Sequence, residues 1–165
     1  ERVRWICGGA QDAPAVDADF VVMTGNVAQV FLEDDEWAGT LTAAHGALRP
    51  GGMLVFEVRD PSQRAWERWT PELTRRRVDL PGAGVVETWV ELTDVSLPFV
   101  SFRHVYVFDS DGARLASDST LRFRERDEIE QSLSAAGFVL REVRDAPDRP
   151  GLEWVFVSER VGPAE

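Results

Sequence analysis

LRPGGMLVFEV, residues 48–58, decides how the rest of the chain is interpreted. Its first part, Arg49-Pro50-Gly51-Gly52, breaks the helical pattern that precedes it. Proline at the second position of a four-residue turn and glycine at the third suit a type II turn. The run that follows, 53–58, is mostly apolar and predicts a strand. The stretch is therefore a junction at which a helix ends and a strand begins.

Upstream of this junction, the pattern predicts a helix preceded by a strand. The helix is expected to begin with Asp34 or Asp35 as its N-cap, since acidic residues stabilise a first turn. Its apolar residues recur on one helical face, at Trp37, Leu41, Ala44 and Leu48. Residues 20–24 form an apolar run that Gly25-Asn26 stops, which is typical of a strand buried on both faces. Strand, helix and strand in this order predict a right-handed βαβ unit with parallel strands.

The remaining segments extend this unit in both directions. Residues 3–7 predict a short strand ended by Gly8-Gly9, parallel to the other two. Residues 74–124 alternate between strands and turns, with a hairpin signal at Asp111-Gly112, and predict an inserted antiparallel sheet. A helix over 125–136 and strands over 138–143 and 154–158 complete the pattern. We interpret residues 1–165 as a single α/β domain, in which 74–124 form a cap over the carboxyl ends of the parallel strands.

Composition excludes several classes of function. Acidic residues outnumber basic ones by 29 to 18, and the net charge of -11 argues against nucleic-acid binding. The one cysteine, Cys7, cannot form an internal disulfide, which favours the cytoplasm. Apolar runs are shorter than the roughly 20 residues that span a bilayer, so we expect no membrane insertion. One cysteine and two distant histidines offer no metal-ligand spacing.

A ligand site is expected where the parallel strands end, because open α/β sheets bind ligands beyond the carboxyl ends of their strands. Three clusters lie there in the sequence: Gly8–Asp12, Thr24–Asn26 and Arg59-Asp60. The glycines and the asparagine also suit strand ends for conformational reasons alone, and charged side chains are commonly solvated. The residues by themselves leave both interpretations open.

Four motifs, taken in order, resemble a known family. GGAQDAP, residues 8–14, looks like the G-D-A-x-x-L-P loop of class I S-adenosylmethionine-dependent methyltransferases, and residues 48–54 resemble their L-K/R-P-G-G-x-L turn into the fifth strand. Residues 19–24 are similar to the fourth strand, and 134–138 to an S-x-x-G-F motif before the sixth. The resemblance covers essentially the whole chain. It implies a Rossmann-like methyltransferase sheet with an inserted antiparallel β cap, and methyl transfer from S-adenosylmethionine to a small molecule.

The resemblance also implies which residues hold the cofactor. They lie in two loops and are Gly9, Ala10, Gln11, Thr24, Gly25 and Asn26. Gly9 stands where the family places an aspartate that holds the adenine amine. The family's glycine-rich loop and its ribose-binding acid have no counterpart, which implies a sheet truncated at its N-terminus. We therefore expect the isolated chain to bind cofactor poorly.

Candidates for the acceptor site are few, and no catalytic residue is assigned. Trp66 and Trp69 are spaced to form one wall of an apolar pocket, although aromatic residues at this spacing are more often core. His104 lies in a predicted cap strand, and Arg59 follows the strand of the junction. His45 lies on the predicted helix and is expected to be structural.

Two other functions stay open at this point. A non-catalytic methyltransferase-like binding or assembly domain is favoured by Gly9 and by the missing front segment. A nicotinamide-dependent Rossmann enzyme lacks support, because the G-x-G-x-x-G fingerprint is absent. In either case, a truncated sheet exposes a strand edge, so self-association into a homo-oligomer is expected.

Overall fold

The structure is a computed structural model and describes residues 3–162. Its strands and helices are, in chain order, β1 (Ala18–Met23), α1 (Asp34–Ala47), β2 (Leu48–Arg59), α2 (Pro71–Thr74), β3 (Arg76–Leu80), β4 (Gly84–Ser96), β5 (Phe99–Phe108), β6 (Arg114–Arg122), α3 (Arg126–Ala135), β7 (Phe138–Asp145) and β8 (Glu153–Arg160). Short 3-10 turns at Ala10–Asp12, Val27–Val30, Pro61–Gln63 and Ala65–Arg68 lie between them.

The chain divides into two compact units. The first contains the residues up to Asp60 together with those from Arg124 onward, and the second is Pro61–Phe123. Each unit has its own sheet and its own cluster of buried apolar side chains.

The sheet of the first unit has the strand order β1-β2-β8-β7. β1 and β2 are parallel, with Phe20 opposite Met53 and Val22 opposite Val55. β8 runs antiparallel to both β2 and β7. The predicted βαβ unit is therefore confirmed, and so is the α/β methyltransferase-like fold class.

Two helices supply the core of this unit. The apolar face of α1 is buried at Trp37, Leu41 and Ala44, and α3 buries Ile129 and Leu133. These side chains pack with alternate residues of β2 into one cluster. The helix start differs from expectation by one residue, since Glu33 is the N-cap of α1.

The junction at 48–52 brings the backbone of β1 and β2 into close approach. Gly51 has φ 75°, which is the conformation that the third position of a type II turn requires. A Cβ on Gly52 would lie 2.8 Å from the carbonyl oxygen of Ala18 and 2.9 Å from that of Arg49. Glycine is therefore needed at the two positions for different reasons: Gly51 permits the turn, and Gly52 leaves room for the backbone of β1.

The second unit contains an antiparallel sheet with the strand order β3-β4-β5-β6. The hairpin between β5 and β6 turns at Asp111-Gly112, where Gly112 has φ 72°. Its buried cluster is formed by Trp66, Val100, Leu121 and Phe123. The predicted antiparallel sheet is thus present, whereas its role as a cap stays a prediction.

The predicted strand over 3–7 is wrong. These residues have no regular secondary structure, and Trp5 and Ile6 are 88% and 47% exposed. A strand needs a neighbour that takes its backbone hydrogen bonds, and residues 3–7 pair with no strand in the described structure, so the outer edge of β1 stays open. Apolar composition alone predicted this strand, and composition does not report whether a segment lies along the edge of a sheet.

Candidate functional site

The end of β1 is a tight turn held by a carboxylate. Gly25 and Asn26 have φ values of 75° and 58°, both in the left-handed region. Successive residues in this conformation point their N–H groups to one side, and both donate to Oε1 of Glu57 on β2, Asn26 at 3.1 Å. Glu57 therefore fixes the turn that follows β1.

The side chain of Asn26 ties the same turn to β8. It is 2% exposed, and its Nδ2 donates to Oε1 of Glu153 at 3.0 Å. Glu153 is 3% exposed and also accepts a hydrogen bond from Nη1 of Arg149 at 2.9 Å. A buried carboxylate is stable only when it is paired and hydrogen-bonded. Both donors contact Oε1, whereas Oε2 of Glu153 is buried without a hydrogen-bond partner among the described residues.

A cleft of about 410 Å³ opens beside this turn. Its lining comes from three places: the end of β1, the strands β2, β7 and β8, and the loop between β7 and β8. The lining residues are Thr24, Gly25, Glu57, Arg144, Ala146, Pro147, Asp148, Arg149 and Val155. A Cβ on Gly25 would meet nothing within 4 Å, so the turn is open toward a ligand.

Gly9, Ala10 and Gln11 lie elsewhere in the first unit. They form the start of a 3-10 turn, in which the N–H of Gly9 donates to Oδ2 of Asp12 at 2.8 Å. Nε2 of Gln11 lies 3.3 Å from where a Cβ on Gly39 of α1 would stand. The turn therefore lies against α1, and the structure does not bring it into the lining of the cleft.

Arg59 also lies outside the lining of the cleft. Its Nη1 donates to Oε1 of Gln29 at 3.0 Å. Burial is the main cause that lowers the pKa of Arg59 below its usual value, and the carboxylates of Glu153 and Glu57 oppose this shift. The neighbouring N–H of Asp60 donates to the carbonyl of Leu152. These contacts give Arg59 and Asp60 a structural role, and a role in acceptor binding stays a prediction.

The other acceptor candidates belong to the second unit. Trp66 is 2% exposed and lies edge-on to Phe123 at a centroid distance of 4.7 Å. Trp66 is therefore a core residue, which is the more common role for aromatic residues at this spacing. Trp69 is half-buried, and its ring centroid lies 4.8 Å from that of Phe102.

The two histidines lie in different units. His104 is half-buried and stacks on Tyr106 at 5.2 Å, and burial and then Arg76 lower its pKa below the ordinary value. His45 packs edge-on against Phe138, and burial followed by Arg160 lowers its pKa. Both shifts favour the neutral imidazole. The contact with Phe138 agrees with a structural role for His45.

Glu57 and Glu153 were missed by reasoning from the sequence. The available signal was a charged residue inside an otherwise apolar strand, as in Phe56-Glu57-Val58. Such a residue is costly unless it has partners, so its position predicts a polar contact. The sequence does not state which backbone groups supply the partners.

Solved structures share this arrangement of elements. An S-adenosylmethionine-dependent methyltransferase from Clostridium acetobutylicum ATCC 824 matches 95% of the chain with a TM-score of 0.71 and 13% identity. The CcbJ methyltransferase from Streptomyces caelestis matches 94% with a TM-score of 0.69 and 18% identity. The sugar N-methyltransferase KedS8 from Streptoalloteichus sp ATCC 53650 also matches 94%, with a TM-score of 0.69 and 17% identity. The chain has the class I S-adenosylmethionine-dependent methyltransferase fold.

The chain corresponds to only part of each of these solved structures. The chain spans 64%, 62% and 61% of the lengths of these three proteins. No protein-family model matches the chain, and a search of curated proteins finds no match. Structural similarity at such low sequence identity shows the fold alone.

Two further observations apply to residues 3–162. No group of three or more His, Cys, Asp or Glu side chains in this range is placed to hold a metal ion. In the same range, no helix has both the length and the apolar character needed to cross a membrane.

Proposed function

We propose that this chain forms the larger part of an S-adenosylmethionine-dependent methyltransferase that acts on a small molecule. The observation that carries the proposal is the match of over nine-tenths of the chain to S-adenosylmethionine-dependent methyltransferases and to a sugar N-methyltransferase. Support comes from the open cleft at the carboxyl end of β1, where this kind of sheet binds ligands. The one cysteine supports a cytoplasmic location for this activity.

The residues at the end of β1 fit an extended ligand. Gly25 leaves open space beside the backbone, and Thr24 adds a hydroxyl group at the edge of the cleft. The N–H groups of Gly25 and Asn26 are already taken by Glu57, so their part is to hold the shape of the turn. We assign Thr24, Gly25 and Asn26 to the methionine end of the cofactor, and Gly9, Ala10 and Gln11 to its adenine.

The chain's own contribution to catalysis is positioning. When bound, S-adenosylmethionine supplies an electrophilic methyl group on a sulfonium. The protein then mainly has to align the acceptor and the methyl group, which is worth many orders of magnitude in rate. The rigid turn at Gly25-Asn26, braced by Glu57 and Glu153, gives that alignment a fixed reference on the sheet.

We also propose that the isolated chain binds the cofactor weakly. Its 165 residues lack counterparts of the family's glycine-rich loop and ribose-binding acid. Hydrogen bonds to charged groups are worth about 1.5–3 kcal/mol each, so losing two or three converts micromolar binding to roughly millimolar.

A titration with S-adenosylhomocysteine, followed by ¹H–¹⁵N NMR, tests the proposal. Millimolar ligand is expected to shift the amide signals of Thr24, Gly25 and Ala10. Gly25→Ala should abolish these shifts, because a methyl group then fills the open side of the turn. Gly82→Ala is the matched control, since Gly82 has φ 85° and equally open surroundings but lies in the second unit. Both variants carry the same backbone strain, and only Gly25→Ala should change binding.

A non-catalytic binding or assembly domain is the alternative, favoured by Gly9 in place of the family's aspartate. It predicts no shift at Thr24 or Gly25 at any concentration of S-adenosylhomocysteine. Shifts confined to other parts of the chain would also reject the methyltransferase proposal.

A further inference from the structure

Glu57 and Arg144 stand in one row of the first sheet. Val155 of β8 lies directly opposite Glu57 on one side and directly opposite Arg144 on the other. Residues paired in this way point to the same face of a sheet, and all three line the cleft. The cleft therefore has an acid at one end, a base at the other and an apolar floor between them.

The two charged side chains do not neutralise each other. Adjacent strands lie about 4.8 Å apart, so the Cα atoms of Glu57 and Arg144 are roughly 10 Å apart. No ion pair joins them in the described structure, and Arg144 has no hydrogen-bond or ion-pair partner there. Arg149, at the rim of the same cleft, differs because it pairs with Asp148 at 3.1 Å and Glu153 at 2.9 Å.

The carboxylate of Glu57 has a fixed position in the cleft. One of its oxygens accepts the N–H groups of Gly25 and Asn26, which fixes the position of the carboxylate on the floor of the cleft. A fixed charge binds a ligand with less loss of side-chain entropy than a mobile one. The guanidinium of Arg144 can meet a carboxylate or phosphate with two parallel hydrogen bonds.

We propose that this cleft binds a small zwitterionic molecule, with its ammonium group at Glu57 and its carboxylate or phosphate at Arg144. The apolar middle of the ligand lies over Val155. The inference rests on the proposed function only where it identifies this molecule as the methyl acceptor. Binding itself requires no cofactor, so it is tested separately.

The first test uses 6-aminohexanoate, which carries both charges on a flexible methylene chain. It is added to the ¹⁵N-labelled chain without cofactor, and the amide signals of Gly25, Ala146 and Val155 should shift. Hexylamine and hexanoate each carry one of the two charges and are expected to bind about fivefold more weakly, the equivalent of one partly exposed ion pair. Equal affinity for all three compounds would overturn the proposal.

Variants of the two charged residues localise the binding. Glu57→Gln keeps an acceptor oxygen for the two N–H groups and removes only the charge, and Arg144→Gln removes the other charge. Each should weaken binding of 6-aminohexanoate about fivefold. Arg68→Gln is the control, because Arg68 is exposed and lies in the second unit. Unchanged binding in either cleft variant, with an intact thermal unfolding transition, would reject the site.

L-Methionine distinguishes an acceptor site from part of the cofactor site. Its ammonium and carboxylate groups sit on one carbon atom, as in the cofactor, and cannot span from Glu57 to Arg144. Tighter binding of L-methionine than of 6-aminohexanoate would assign the cleft to the cofactor and overturn the acceptor proposal. Failure of S-adenosylhomocysteine to bind would instead reject the proposed function and leave the zwitterion site intact.

Discussion

Asn26 takes a backbone conformation that few side chains accept, and it also makes two contacts that join distant parts of the first unit. Its φ of 58° is accessible to asparagine at little cost, because its short polar side chain tolerates the left-handed region. Its N–H reaches Glu57 on β2, and its side chain reaches Glu153 on β8. A single residue therefore connects the end of β1 to two other strands of the same sheet.

Two substitutions at Asn26 separate its backbone role from its side-chain role. Asn26→Gly keeps the favourable backbone but loses the hydrogen bond to Glu153, which is expected to cost about 1.5–3 kcal/mol because the acceptor is a buried charge. Asn26→Ala loses the same hydrogen bond and adds strain of about 1 kcal/mol in the left-handed region. Urea unfolding measures both free energies. Equal losses for the two variants would contradict a conformational role for Asn26.

Gly46 and Gly52 lie close in sequence, on either side of the junction between α1 and β2, but they have opposite structural constraints. A Cβ on Gly46 meets nothing within 4 Å inside α1, so Gly46→Ala should stabilise the protein by about 0.8–1 kcal/mol through helix propensity. A Cβ on Gly52 meets two backbone oxygens below 3.0 Å, so Gly52→Ala should cost more than about 2 kcal/mol, because backbone has to move. Thermal unfolding of the two variants should shift in opposite directions. A stabilising Gly52→Ala would refute the close approach of β1.

Hydrophobic period and turn chemistry predicted most elements of the first unit. The spacing of Trp37, Leu41 and Ala44 defines the buried face of α1, and α3 ends within one residue of the bound predicted for it, just before Gly137 with φ 84°. The prediction failed at 3–7 because composition reports how apolar a segment is, but not whether the fold places it along the open edge of the sheet.

The candidate site, like the fold of the first unit, was predicted from the sequence only in part. Thr24 and Gly25 were identified because they end a strand, and they do line the cleft. The row of Glu57, Val155 and Arg144 depends on the register of three strands that are distant in sequence. No local pattern contains that register, so only the assembled sheet shows that these residues meet.

One face of the first sheet is covered by α1 and α3, and the opposite face carries apolar side chains in the open. Phe20 and Val22 on β1 are 65% and 62% exposed. They lie opposite Met53 and Val55 of β2, which are half-buried, so the apolar surface continues from β1 onto β2. β1 is also the edge of the sheet among the described residues, with backbone groups that a further strand could pair.

The isolated chain is therefore expected to self-associate through β1 and the adjoining apolar face. Burying one aromatic side chain contributes about 1.5–3 kcal/mol, so Phe20→Lys should weaken association about tenfold or more. Leu73→Lys is the matched control, because Leu73 is 66% exposed but lies on α2 in the second unit. Light scattering at micromolar concentrations should find a dimer or larger species for the unmodified chain and for Leu73→Lys, and a smaller species for Phe20→Lys. A monomer at every concentration, or equal effects of the two substitutions, would show that this face does not drive association.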